Sequence, residues 1–255
     1  MPENNEIKNI KVIKGAPFLK AKDTVPRIMW DVSLALLPAI LASVYFFGLS
    51  AAFVILNAII SCVIFDFICL KARNNKKINY GSSFDGSAVV TGILLSFNLP
   101  STVPWWLVTI SSAVAIIITK HFFGGLGRNI FNPALAGRIF AMHAWPDFMS
   151  ASWIPPRTVW NSAGINLPWT SIDNSAVLKA FNTYATPLHD MKEGLASKLP
   201  SLTNMFLGNI GGCLGETSAA ALLLGAIYLL IRKRITLIIP LTYIGTVGLL
   251  TWVFA

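Results

Sequence analysis

An all-α integral membrane bundle is the fold class that the sequence predicts, on three observations. Apolar residues make up 55% of the 255 and charged residues only 12%, with a mean hydropathy of +0.64. Soluble domains carry about twice that charge. Five apolar runs, at 28–48, 51–70, 105–123, 217–231 and 235–255, approach or reach the roughly 20 residues that cross a bilayer. The basic residues gather at the ends of these runs, where a membrane protein places them.

Residues 1–27 form a polar, basic N-terminal segment with Lys8, Lys11, Lys14, Lys20, Lys22 and Arg27, and no apolar stretch of the signal-peptide kind. "KARNNKK" (71–77) and "RKR" (232–234) are the other two basic clusters. Clusters beside spans stay in the cytoplasm and bind anionic lipid. The N-terminus, the 71–77 loop and the 232–234 turn are therefore expected on the cytoplasmic side of the cell inner membrane, in a multi-pass chain. Runs 28–48 and 51–70 then make a hairpin turned at Gly48-Leu49-Ser50. The net charge of +9 needs no nucleic acid, because exposed aromatics do not interleave with the basic residues.

"SSFDGSAVVTGILLSFNLP" (82–100) has an apolar core, 87–99, too short to cross alone. It opens on Asp85-Gly86 and closes on Asn98-Leu99-Pro100, which predicts a broken half-helix. Non-helical backbone at membrane depth survives only when buried in protein or lining a cavity. Run 105–123 returns from the Trp105-Trp106 belt to Lys120-His121. A glycine-rich turn then enters a second short helix at about Asn132, heading outward. In 146–207, Arg157, Lys179, Lys192 and Lys198 balance Asp147, Asp173, Asp190 and Glu193, as an extracytoplasmic loop allows. The organisation is therefore a basic segment over 1–27, transmembrane helices with two broken elements over 28–145, an outer loop over 146–211, and transmembrane helices over 212–255.

Soluble enzymology has no footing here. His121, His143 and His189 are scattered, GxSxG and HExxH are absent, and "GGLG" (124–127) lacks the Lys-Ser/Thr of a phosphate loop. Cys62 and Cys69 stand about 10 Å apart along a helix, too far to share a metal ion readily. Acids at membrane depth are more informative, since one at the bilayer centre costs roughly 2.5–3.5 kcal/mol on insertion scales. Asp31 and Asp66 both fall near the inner end of the first hairpin, and each is either an ion-path residue or the partner of a nearby Lys or Arg. Asp85 reads as a helix cap. Asn129 and Asn132 precede Pro133, where a half-helix N-terminus suits a polar ligand edge and a capping asparagine fits equally well. In "NTYATPLHD" (182–190), the Thr186 hydroxyl stands in a turn with little else that is reactive.

Three strings in order, "FDGSAVVTGILLSFNLP", "FGGLGRNIFNPALAGRIF" and "GCLGETSAAALLLGAIYLLIRKRI", resemble the family of the D subunits of Rnf ferredoxin:NAD⁺ oxidoreductase complexes. That family is similar to the B subunit of the Na⁺-translocating NADH:quinone oxidoreductase. The resemblance covers about residues 20–255. It implies a membrane component of an ion-translocating electron-transport complex, not catalytic alone, that couples electron transfer to Na⁺ or H⁺ movement. It also implies a covalent FMN, joined through its phosphate to a threonine by a flavin transferase that reads Asp-Gly-x-Ser/Thr-Gly-Ala-Thr. The matching segment is "AFNTYAT", where Thr183, Ala185 and Thr186 agree and Ala180, Phe181 and Tyr184 replace the acid and the two glycines.

On this resemblance Thr186 is the phosphoester acceptor, Asn129 and Asn132 border a second, non-covalent flavin (riboflavin), and Asp31 and Asp66 serve the coupling ion. The implied partners are a second flavoprotein subunit, iron–sulfur subunits, the transferase and membrane lipid. The implied fold is a urea-transporter-like pair of inverted repeats with opposed half-helices, the second repeat incomplete within these residues. The rival class is a redox-free channel or transporter for a small polar solute.

Overall fold

The computed structural model describes residues 24–73, 85–150, 201–216 and 218–254, and every regular element among them is a helix. Thr186 and residues 180–185 lie outside the described residues.

Helices α1 (Val25–Ala35) and α2 (Leu37–Phe47) make a single span of 23 residues. They are offset at Leu36 because Pro38 has no N–H to continue the ladder. The bonds Leu36 N–Val32 O (3.1 Å) and Ile40 N–Leu36 O (3.0 Å) persist on either side. Gly48, at φ 74°, turns the chain into α3 (Leu49–Arg73), and the predicted hairpin is present. On α3 the buried residues Ala51, Val54, Ile55, Ala58, Cys62 and Asp66 recur at three- and four-residue spacing, one face of a helix. Leu56, Ile60, Ile64 and Phe67 are exposed on the other side. An apolar outer face of this extent is one that lipid solvates.

The predicted half-helix is α4 (Ser87–Phe97), about 16 Å long at 1.5 Å per residue. It is buried almost all round, against α1, α3 and α6. Gly92 permits this, since a Cβ there would sit 2.7 Å from the Ile59 Cα. Helix α5 (Trp105–Ala113) continues in π-helical form over Val114–His121, slightly short of the expected 105–123. Then come α6 (Pro133–Ala144), α7 (Pro146–Ser150), α8 (Leu202–Leu207), α9 (Ala219–Ile231) and α10 (Ile238–Phe254).

One expectation changes. A helix was expected from 212, but it starts only at Ala219, behind the Ser218 cap, whose hydroxyl accepts from Ala221 N at 3.2 Å. Residues 211–216 are non-helical, and Gly211 to Leu214 are buried. The cause is the end of α4, whose last carbonyls lack intrahelical donors. Gly215 N supplies one to Phe97 O (3.0 Å) and Leu214 N another to Leu99 O (3.2 Å), while the Ser43 hydroxyl donates to Leu214 O. Helix α9 is thus a further short element, preceded by a turn at Leu214 and Gly215 that bonds to the end of α4. It runs antiparallel to α1–α2, with Gly225 pressed against the Ala35 carbonyl.

The two ends of the bundle differ. The start of α1, the end of α3, the start of α4, the end of the π segment and the end of α9 share one end, which carries the buried charges. Near the other end, Trp106 packs edge-on against Trp145 (5.2 Å) and Phe148 (5.9 Å).

Candidate functional site

Asp66 belongs to the buried stripe of α3, two turns before the helix ends. A carboxylate in such surroundings needs ionic partners. Lys120 Nζ lies 2.7 Å from Asp66 Oδ1, and His121 Nε2 lies 2.7 Å from the same oxygen. The Lys120 and Asp66 side chains are each 5% exposed and His121 10%. Two adjacent residues reach one atom because the helix is π-wound there, with Phe122 N on Ile117 O and Gly125 N on Lys120 O. The wider turn narrows the angle between successive side chains, and such segments recur at functional sites.

The network continues into α4. Lys120 Nζ donates to Ser87 Oγ at 2.8 Å, and Ser87 Oγ donates to Asp85 Oδ1 at 2.6 Å. Asp85 Oδ1 also accepts from Ser87 N at 2.9 Å, the capping role that the sequence predicts. Asp85, Ser87, Lys120, Asp66 and His121 therefore form one chain of contacts drawn from three parts of the fold.

Asp31 is held separately. Arg234 Nε donates to its Oδ2 (2.8 Å), Arg232 Nη2 to its Oδ1 (3.1 Å), and Tyr228 OH to Oδ1 (3.4 Å). Both arginines are placed by the C-terminal turn of α9, where Lys233 N bonds Leu230 O and Arg234 N bonds Leu229 O. That is a Schellman turn, and Lys233 takes its left-handed position at φ 54°. The structure does not bring Asp31 and Asp66 together, although Gly86, beside Asp85, packs on Met29 and Trp30 next to Asp31.

Both amides before α6 are turned to backbone. Asn132 Oδ1 accepts from Ala134 N (3.0 Å), capping the helix ahead of Pro133, and Asn129 Nδ2 donates to Phe131 O (2.9 Å). A third polar group is Arg138 on α6, whose Nη1 donates to Asn98 Oδ1 (2.9 Å), with Cys213 Sγ at 4.0 Å and Glu216 at 3.7 Å. Lys120, His121, Ser87, Tyr228, Arg138, Arg232 and Arg234 were not read from the sequence as site residues. The signals present were an arginine inside "NPALAGRIF" and a Lys-His pair closing an apolar run. Among the described residues, no group of three or more His, Cys, Asp or Glu is placed to hold a metal ion.

The sequence matches the family described as NQR2, RnfD, RnfE over residues 12–255. It is 40% identical to the D subunit of the proton-translocating ferredoxin:NAD(+) oxidoreductase complex of Clostridium ljungdahlii, over all of this chain and 72% of that protein. It is 38% identical to the D subunit of the Na(+)-translocating ferredoxin:NAD(+) oxidoreductase complex of Acetobacterium woodii, over 93% of this chain and 67% of that protein. With the D subunit of the ion-translocating oxidoreductase complex of Rhodobacter capsulatus the identity is 35%, over 91% of this chain and 66% of that protein.

Proposed function

Because the chain belongs to the NQR2, RnfD, RnfE family, we propose that it is the membrane component through which an ion-translocating ferredoxin:NAD⁺ oxidoreductase couples electron transfer to Na⁺ or H⁺ movement. The observation that carries this is likeness along nearly the whole chain to relatives bearing that name. The two charge-compensated acids, Asp66 and Asp31, lie at one end of the bundle and support an ion-handling role. Its partners are the other subunits of the complex, flavoprotein and iron–sulfur subunits among them.

In this reading Thr186 carries FMN as a phosphoester, attached by a flavin transferase. Residues 1–27 face the cytoplasm and the loop with Thr186 faces out. When bound, the flavin supplies the one- and two-electron chemistry, and the protein supplies its position and electrostatics. The short helices α4 and α9, joined at Phe97–Leu99 and Leu214–Gly215, support an inverted-repeat architecture with opposed half-helices. A riboflavin edge at Asn129 and Asn132 would compete with the backbone bonds both amides already make, so no step is assigned to it.

The test is flavin fluorescence of the denatured protein in a gel, with mass spectrometry of the 180–192 peptide. A fluorescent band for this protein, lost in Thr186→Ala, is the expected result. A dark wild-type band from cells that contain the transferase overturns the flavin carrier and favours the redox-free pore.

A further inference from the structure

The geometry points to the Asp85–Ser87–Lys120–Asp66–His121 chain as a proton-exchange centre, with Lys120 as a tethered cation standing where a sodium ion would otherwise contact Asp66. This rests on the reading of the chain as part of an ion-translocating complex, and it names the ion that this site handles.

A dehydrated hard cation needs several oxygen ligands. Around Asp66 Oδ1 two of the near positions are nitrogen donors, Lys120 Nζ and His121 Nε2, each at 2.7 Å. The hydroxyl in this network, Ser87, already accepts from Lys120 and gives its own proton to Asp85. A sodium ion entering there would meet positive N–H ends. A proton needs only one lone pair, and His121 has it. With its Nε2–H on Asp66, the ring accepts at Nδ1, and this side chain borders the surface more than Lys120 or Asp66 does.

The step balances on one proton. Its arrival at Nδ1 makes the ring a cation, so the Asp66 carboxylate faces two positive partners. The ammonium's hold then moves towards Ser87 and, through the hydroxyl, Asp85. Loss of the same proton from Nδ1 returns the ammonium to Asp66. Among the described residues, the titratable and charged groups around the centre are Asp66, Cys62 and Cys69 from α3, Lys120 and His121 from the π segment, and Asp85 at the head of α4. Asp31 is engaged by its own arginines.

The experiment uses the whole complex in proteoliposomes driven by reduced ferredoxin and NAD⁺, recording internal pH and ²²Na⁺ uptake together. In the wild type, replacing Na⁺ with K⁺ is expected to leave electron-driven acidification unchanged. His121→Gln is expected to lower protons moved per electron at least fivefold. Lys120→Gln, which vacates the cation position, is expected to gain Na⁺ stimulation, and Lys120→Arg to behave as wild type. Unchanged coupling in His121→Gln overturns the inference. So does a Na⁺ requirement of the wild type that Asp66→Asn removes, a comparison that stands even if Lys120→Gln fails to assemble. A wild-type complex that moves neither ion, or that purifies without this chain, defeats the proposed function instead.

Discussion

Separating Asp66 from Lys120 tests whether this contact behaves as a buried ion pair. Lys120→Met leaves Asp66 with the His121 ring as its remaining partner, and Asp66→Asn leaves the ammonium with the Ser87 hydroxyl. Breaking one side of a buried pair costs about 3–5 kcal/mol, because the survivor stays charged in apolar surroundings, whereas replacing both sides is often near neutral. Both side chains are 5% exposed, so the buried limit applies. The expected cost of Lys120→Met is about 3 kcal/mol, at the low end of that range because the His121 ring still meets the same Asp66 oxygen. The double variant should recover most of it, a coupling of about 2 kcal/mol in a double-mutant cycle. Urea unfolding of the four proteins in detergent, followed by tryptophan fluorescence, gives the numbers. Arg138–Glu216 is the internal control: at 3.7 Å, with 31% and 58% exposure, its loss should cost no more than about 1 kcal/mol. Single variants each below about 0.5 kcal/mol, adding without coupling, would refute the reasoning, for that is how a solvated surface pair behaves.

Three further outcomes follow from the packing and the caps. Gly92→Val drives a side chain into the backbone at Ile59 and should cost about 1–3 kcal/mol in the same unfolding assay, so an unchanged midpoint would mean that α3 and α4 stand further apart. Lys233→Gly removes a left-handed conformation that costs an L-residue roughly 1–2 kcal/mol, part of which the greater freedom of unfolded glycine returns. A net gain of about 0.5–1 kcal/mol is expected, and a loss would contradict the Schellman turn. Asn132→Ala should cost about 1 kcal/mol and Asn132→Asp should restore it, because an aspartate accepts from Ala134 N as the amide does.

The features legible in the sequence were those written in local signals. Asp85-Gly86 and Asn98-Leu99-Pro100 bracket α4 because a cap and a breaker act on neighbouring backbone, and the helix occupies Ser87–Phe97 between them. The first hairpin followed from two long apolar runs around Gly48. What escaped was set by distant partners. Residues 212–216, expected to be helical, are not, because carbonyls more than a hundred residues earlier take the N–H groups of Leu214 and Gly215. Lys120-His121 read as the end of a span and "RKR" as an orienting cluster, yet both turn back onto acids. Their targets depend on π winding and a Schellman turn, which no periodicity announces. Of the site residues, Asp31 and Asp66 were visible because a carboxylate in an apolar run is costly wherever it pairs. Thr186, outside the described residues, is proposed only through likeness to a family.

Helix α4 carries the last consequence. Its first turn is tied to the charged centre through Ser87 and Lys120, and its last to the Leu214–Gly215 backbone beside Ser43. Between the two, Gly92 lies so close to α3 that the helix has no room to bend towards it. A buried helix packed this densely moves as a unit rather than deforming. A shift of the Lys120 ammonium between Asp66 and Ser87 therefore acts on an element whose far end closes against the head of α9, and α9 in turn ends in the two arginines that hold Asp31. The two acids do not touch, but α4, α9 and the bonds at their ends connect them. Substituting Gly92 should on this account disturb both ends of α4 together, whereas a change at Arg138, which meets only the Asn98 end, should not reach Lys120.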